Sequence, residues 1–306
     1  MRNKLVATLA AGAAALTLAV GTAGTATADP TGYRPVAGVG SDTTQDVLNA
    51  LGTVVGGGTV IGSYNATGSA TIDTKSAAAC QDLPRPNGSS AGIDALIADT
   101  AGCLDFARSS RGVATAGTNL TFIPFATDRV TYIKGSGVSS SLTTAQLTSI
   151  YDNACTSGYT VYLPQAGSGT RSFWLSSLGL TEAQVETTSE GTGCVVDTVQ
   201  EHDGTVVTQA NGIAPFSRAQ WTAQSNSSQT GVADRRGTGT SLGSITFSRP
   251  VYNVVKTNRL GETTIRNTFV GSSSAVCTAI ASDPYVALFG FTARADCGSV
   301  ATTGNR

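Results

Sequence analysis

The sequence predicts an α/β fold large enough for two lobes, on three observations. Short helical patterns alternate with short β-branched runs, as layered α/β units require. No period of about twenty to fifty residues recurs, so the alternation is not a repeat array. The chain beyond residue 28 is 278 residues long, 28 fewer than the full 306, which is ample for two lobes.

The first 28 residues stand apart from that fold. Arg2 and Lys4 form a basic head, residues 5–20 are apolar and rich in Ala and Leu, and small residues end in Ala26-Thr27-Ala28 before Asp29-Pro30. This is the layout of a secretory signal peptide with an A-x-A cleavage site. The apolar core is short for a membrane span of roughly 20 residues, and nothing similar follows it. A cleaved leader, a secreted or extracytoplasmic location and no stable membrane insertion are therefore expected.

The cysteines agree with export. Cys80, Cys103, Cys155, Cys194, Cys277 and Cys297 form an even set with no C-x-x-C, and His202 is the single histidine. A zinc cage is a poor reading of that inventory, and no metal or cofactor is expected. In an oxidising compartment six cysteines read as three disulfides. Six allow 15 connectivities; their spread favours 80–103, 155–194 and 277–297. No cysteine lies near the cleavage site for lipid attachment, so a released chain is expected; a monomer is expected as well.

Charge excludes other classes. Without Arg2 and Lys4 the 19 basic residues become 17, against 20 acidic ones, a net charge of −3. That balance offers no footprint for nucleic acid or an anionic membrane. Charged residues make up 13% of the chain, about half the ordinary share of ~25%. Any anion site must rest on a few local donors.

Helices are expected over residues 43–51, 91–99, 144–151, 171–178 and 181–187, several stopped by glycine. Strands are expected over 121–123, 129–133, 160–163, 213–216, 245–247 and 252–256. Residues 222–244 are polar and rich in Gly and Ser, and read as a loop in which Arg235 and Arg236 are solvated.

Three of the helix starts share one chemistry. Gly40-Ser41-Asp42-Thr43-Thr44 opens the first, with Asp42 and Gln45 spaced as a capping box. Gly88-Ser89-Ser90-Ala91-Gly92 opens the second, and Gly167-Ser168-Gly169-Thr170-Arg171 the fourth. Each combines glycines that permit close backbone approach, hydroxyl donors and free N–H groups at a positive helix end, which are the ingredients of an anion site. Any one alone is explained by helix capping. The segment Asp105-Phe106-Ala107-Arg108-Ser109-Ser110-Arg111 adds two guanidinium groups, whose planar fork suits oxyanions.

A rival constellation uses the same residues. Gly88-Ser89-Ser90-Ala91-Gly92 also fits the G-x-S-x-G elbow of serine hydrolases, with Ser90 as nucleophile, His202 as base and Asp128 or Asp197 as acid. The elbow needs a buried strand before it, and residues 80–87 carry two prolines. His202 lies in the polar run Gln200-Glu201-His202-Asp203-Gly204, which reads as an exposed turn. A serine hydrolase is thus the alternative, and a non-enzymatic binder the primary expectation.

Taken in order, GSDTT, SSAG, DFARSSR and GSGTR resemble the substrate-binding proteins of phosphate ABC importers. Phe122-Ile123-Pro124-Phe125-Ala126, Leu142-Thr143-Thr144-Ala145-Gln146-Leu147 and Asn211-Gly212-Ile213-Ala214-Pro215-Phe216-Ser217 extend the likeness along nearly all of the chain beyond the leader. The resemblance implies the type 2 periplasmic-binding-protein fold, with lobe one from residues 29–125 plus 252–306, lobe two from 127–247, and a ligand cleft between them that closes about a hinge. It implies phosphate or a similar tetrahedral oxyanion as ligand, and either an ABC permease as partner or free scavenging. By motif, the implied ligand-binding residues are Asp42, Thr43, Thr44, Ser89, Ser90, Ser110, Arg111, Ser168, Gly169, Thr170 and Arg171, with no catalytic residue.

The chain departs from one branch of that family at two places. Ser110 stands where that branch has an aspartate accepting the phosphate proton, and Pro164 and Ala166 stand where it has an arginine and its aspartate partner. Ser110-Arg111 and Ser168-Gly169-Thr170-Arg171 fit the other branch, in which Arg111 and Arg171 supply the positive charge. Asp42 is the one acid in these loops able to accept a ligand proton.

Overall fold

The computed structural model describes residues 29–185 and 194–306; the expected leader, residues 1–28, lies outside the described residues. The first strand, β1 (Val36–Gly40), is buried along its whole length. A strand covered on both faces carries such an apolar run because it lies inside a parallel sheet, and β1 pairs in parallel on both sides. Helix α1 (Gln45–Val54) follows, burying Val47, Leu48 and Leu51, each worth about 1.5–3 kcal/mol. Strand β2 (Ile61–Ser63) lies beside β1, and β3 (Thr71–Ile72) and β4 (Leu83–Pro84) form a separate small ribbon.

Helix α2 (Ser89–Ala98) crosses β1 at a pair of glycines: a Cβ on Gly92 would sit 2.5 Å from Gly40 Cα. Strand β5 (Phe106–Ser109) completes the first parallel unit. Then comes β6 (Leu120–Lys134), 15 residues long. The sequence reading expects two short strands here, over 121–123 and 129–133; between them lies Asp128, a carboxylate costly to bury in a strand interior. The strand runs on because its register partner is Arg249, whose guanidinium reaches Asp128 at 2.8 Å.

The second parallel unit follows. Helix α3 (Thr144–Asp152) starts on a capping box between Thr143 and Gln146. Strand β7 (Thr160–Pro164), helix α4 (Gly169–Leu178), strand β8 (Val195–Val199) and strand β9 (Gly212–Ser217) complete it. The helix expected over 181–187 is a single turn at Glu182–Gln184, and its last two residues lie outside the described residues.

Residues 222–244 are not a bare loop. Helix α5 (Arg218–Ser225), capped by Ser217, and α6 (Ser227–Thr230) bury Ala219, Ala223 and Thr230, with β10 (Ser241–Leu242) after them. Too few apolar residues mark the segment for periodicity to reveal it, yet Ala223 and Val232 pack into the core of the first half of the molecule. Arg236 pairs with Asp234 at 2.7 Å and lies over the Trp221 ring. Of the strand expected over 245–247 only Phe247 is extended in the sheet, as the first residue of β11 (Phe247–Lys256). Helices α7 (Thr263–Phe269), α8 (Ala275–Ser282) and α9 (Pro284–Ala287), with strands β12 (Thr292–Ala293) and β13 (Thr303–Gly304), finish the chain.

One curled sheet runs β2-β1-β5-β11-β6-β9-β7-β8. The long antiparallel pair β6–β11 joins the two parallel units, and its register shifts between Val251 and Tyr252, a bulge that bends the pair where it passes between the halves. Separate cores serve the halves: Phe106, Phe125 and Phe269 belong to one, Tyr151, Leu163 and Trp174 to the other. The expected two-lobed α/β architecture is the one observed. Disulfides join Cys80–Cys103, Cys155–Cys194 and Cys277–Cys297, the sequential pattern. No helix among the described residues is long and apolar enough to cross a membrane.

Candidate functional site

The loop after β1 begins at Gly40, whose φ of 113° suits glycine. It is fastened from beneath by Arg108, fully buried, which donates to the carbonyls of Gly38, Gly40 and Ser41 and to Ser63 Oγ. Burial pulls this guanidinium down to about 10. Of the two arginines in the DFARSSR segment, Arg108 is therefore a brace for the loop.

That brace presents hydroxyls to the space between the halves. Ser110 Oγ accepts from Ser41 Oγ at 3.1 Å, and lies 3.2 Å from Thr43 Oγ1 and 3.3 Å from Ser89 Oγ; the Ser110 N–H donates to Ser89 Oγ. All four hydroxyls are fully buried. The Asp42–Gln45 capping box expected from spacing does not form. Thr44 is the cap residue and caps without its side chain, and Gln45 instead accepts from the Ala66 N–H at 2.6 Å. Asp42 is left facing the other half of the molecule.

From that half comes the start of α4. Ser168 Oγ accepts from the Arg171 N–H at 3.0 Å and donates to a carboxylate oxygen of Glu201. The Thr170 N–H donates to the same oxygen at 3.3 Å, and Thr43 Oγ1, from the opposite half, donates to the second oxygen at 3.0 Å. A carboxylate thus sits at a helix N-terminus among hydroxyls, where the helix dipole favours negative charge. Thr43 Oγ1 and Thr170 Oγ1 meet across the cleft at 3.1 Å.

The cation at this point is Arg249. Its Nη2 donates to Thr170 Oγ1 at 2.9 Å and Thr43 Oγ1 at 3.3 Å, while Nε and Nη2 hold Asp128. The residue is 1% exposed, its guanidinium lies over the Phe173 ring, and Nη1 has no hydrogen-bond partner among the described residues. Arginine in S-R-P-V, inside a strand and outside every helix-start motif, gives no local signal of such a role.

Arg171 is placed elsewhere. Its guanidinium donates to Glu182, to Asp197 and to the Pro164 carbonyl, so only its backbone N–H takes part in the helix start. Ser90 and Arg111 stand at the rim. Arg111 Nε donates to Ser90 Oγ at 3.1 Å, beside an open pocket of ≈ 490 Å³ that Ser172 and Phe173 also line. Burial, and after it the charge of Arg306, lower the Arg111 guanidinium from its ordinary value. The structure therefore brings together Thr43, Ser89, Ser110, Ser168, Gly169 and Thr170. Gly169 has no room for a side chain: a Cβ there would lie within 3.0 Å of both Ser89 Oγ and Ser110 Oγ.

The run 200–204, read from sequence as an exposed turn, is largely inside: Glu201 is fully buried and His202 is 2% exposed. The His202 ring faces Thr170 Oγ1 at 3.5 Å through Nε2 and Asp42 Oδ2 at 3.6 Å through Nδ1. Asp42, Glu201 and His202 each offer a ligating atom, all within 4.8 Å of one another; the sequence reading expects no metal, on the ground of a single histidine and no C-x-x-C, and Asp42 lies far from the other two in the chain. The hydrolase arrangement is not formed. Ser90 Oγ bonds Arg111, His202 turns to Thr170 and Asp42, and Asp128 and Asp197 are held by arginines.

No family model and no curated protein matches the chain. Among solved structures it is similar to one described as a phosphate ABC transporter substrate-binding protein from Clostridium perfringens with bound phosphate. The identity is 17% and the TM-score 0.52, over 86% of this chain and 100% of that one. A possible phosphate-binding protein from Planctomyces limnophilus aligns at 13% identity and TM-score 0.44, over 86% and 93% of the two chains. At such identities the likeness is one of fold alone: the chain shares its two-lobed architecture with the first of these structures.

Proposed function

We propose that this protein is an extracytoplasmic solute-binding protein of the phosphate-importer type, which captures phosphate or a similar tetrahedral oxyanion between its lobes, for ABC-type uptake or scavenging. Lobe one comprises residues 29–125 and 252–306 and lobe two residues 127–247, with ligand closing them together.

One observation carries the reading: donors from both halves already converge on a buried anionic group. The Glu201 carboxylate is held by Ser168 Oγ, the Thr170 N–H and Thr43 Oγ1. An oxyanion entering an opened cleft would take over these donors and add Arg249 Nη1, which is without a partner among the described residues. Ser89 and Ser110 complete the ring from lobe one. Export accords with three disulfides, and a binder needs no nucleophile.

The test is calorimetric titration of the purified mature chain with phosphate, sulfate and arsenate, alongside Thr170→Val. Hydrogen bonds to charged groups contribute about 1.5–3 kcal/mol, so the variant should bind phosphate roughly 10- to 150-fold more weakly. Absence of binding to all three anions, or a Thr170→Val variant with wild-type affinity, refutes the proposal.

A further inference from the structure

We propose that Asp42, Glu201 and His202 form a binding site for a first-row divalent cation of the zinc type, clasped between the two halves of the protein. The inference goes beyond the oxyanion reading and does not depend on it.

Two atoms point to a ligand. Asp42 Oδ2 and His202 Nδ1 are both buried, on residues 4% and 2% exposed, and neither has a hydrogen-bond partner among the described residues. Orphaned buried polar atoms are uncommon in folded proteins and call for a reason. They face each other at 3.6 Å, too far for an N–H···O bond of about 2.7–3.2 Å. Two ligands of one tetrahedral cation, each about 2.1 Å from it, stand about 3.4 Å apart. Glu201 brings the third ligating atom, within 4.8 Å of both.

The surroundings orient these ligands. His202 takes φ of +57°, a left-handed backbone that costs a non-glycine residue free energy and persists where the neighbours hold it. Its carbonyl accepts from Gln224 Nε2 at 2.9 Å, and its ring stands edge-on to Phe216 at 5.4 Å. With Nδ1 as ligand, the proton lies on Nε2, which faces Thr170 Oγ1 at 3.5 Å, longer than an ordinary hydrogen bond. Glu201 is oriented by Ser168 and Thr43.

Charge around the site is mixed. Asp42 adds to burial in raising the carboxyl of Asp46 above its ordinary value, while the nearby Arg249 is paired with Asp128. The buried Arg108, and with it Arg235, also act on these carboxylates, so it is the two orphaned atoms and their spacing that call for a cation. One imidazole nitrogen with two carboxylates suits zinc and its neighbours over magnesium or calcium, which prefer all-oxygen sites. Three protein ligands leave a fourth position open. Asp42 comes from one half and Glu201 and His202 from the other, so the cation would tie the cleft shut.

The experiment uses the untagged mature chain, stripped with chelator and dialysed into phosphate-free buffer, titrated calorimetrically with Zn²⁺, Mg²⁺ and Ca²⁺. One Zn²⁺ per chain is expected, with a higher melting temperature on binding and a clear preference over Mg²⁺ and Ca²⁺. His202→Asn keeps a residue tolerant of the left-handed backbone and should weaken Zn²⁺ binding at least about a hundredfold. Asp42→Asn should do likewise and provides the test if His202→Asn does not fold, melts in chelator reporting the fold. No Zn²⁺ binding, binding unaltered in the folded variant, or a preference for Mg²⁺ or Ca²⁺ overturns the proposal. Phosphate titration is a separate arm, so each reading can fail alone.

Discussion

Replacing Gly169 with alanine should hold the two halves apart while leaving each folded. Gly169 is the first residue of α4, in the second half, and its φ lies outside the left-handed region, so the backbone accepts alanine. The added methyl would lie within 3.0 Å of Ser89 Oγ and Ser110 Oγ and 3.1 Å from the Ser110 carbonyl carbon, all on the first half. The two hydroxyls can rotate, but only by giving up the contacts that link Ser110 Oγ to Ser41 and Thr43 and the Ser110 N–H to Ser89 Oγ. The backbone carbon cannot move without displacing β5's end. Losing two of these three contacts at roughly 0.5–1.5 kcal/mol each puts the penalty on closure at about 1–3 kcal/mol, a five- to 150-fold loss of oxyanion affinity. Calorimetry gives the affinity, and small-angle scattering gives the radius of gyration with and without phosphate. The variant should melt cooperatively, remain the more expanded species and bind weakly. Wild-type affinity together with a wild-type radius would refute the idea that these surfaces meet on closure.

Two more outcomes follow from the buried charges. Arg171→Ala removes the guanidinium that pairs with Asp197 and Glu182 and should lower stability by about 1–3 kcal/mol in denaturant melts, while phosphate affinity stays within about threefold; a loss as large as that of Thr170→Val would show that Arg171 reaches the ligand. Burial, then the charge of Asp42, raises the Asp46 carboxyl above its ordinary value. The native state therefore keeps a proton the unfolded chain has released, and stability falls as pH rises from near that unfolded value through the raised folded one. Asp46→Asn removes this component: measured with chelator present, its melting-temperature advantage over wild type should grow with pH across that window and level off above it. Parallel pH profiles would contradict the assignment.

Much of the site was legible locally. A helix start announces itself in a few residues, because glycine supplies room and Ser or Thr supplies the cap, and Ser168 caps α4 as its motif implies. Thr143 and Gln146 close their box for the same reason. The sequential disulfides follow from cysteines close enough in the chain to meet without long excursions, with 20 to 39 residues between partners. The α/β alternation needed only the period of the apolar residues.

What stayed hidden is the identity of the charged groups. Asp42 and Gln45 have the spacing of a capping box, yet Asp42 turns to His202, far along the chain. Arg171 has the motif, and Arg249 has the position. A charge is buried only where a partner meets it, and Asp128 lies 121 residues before Arg249 in the chain. Their meeting depends on the register of β6 against β11, which is set by every pair along two long strands. Glu201 and His202 read as a polar turn for the same reason: they are buried against Thr43 and Asp42, which lie far from them in the chain.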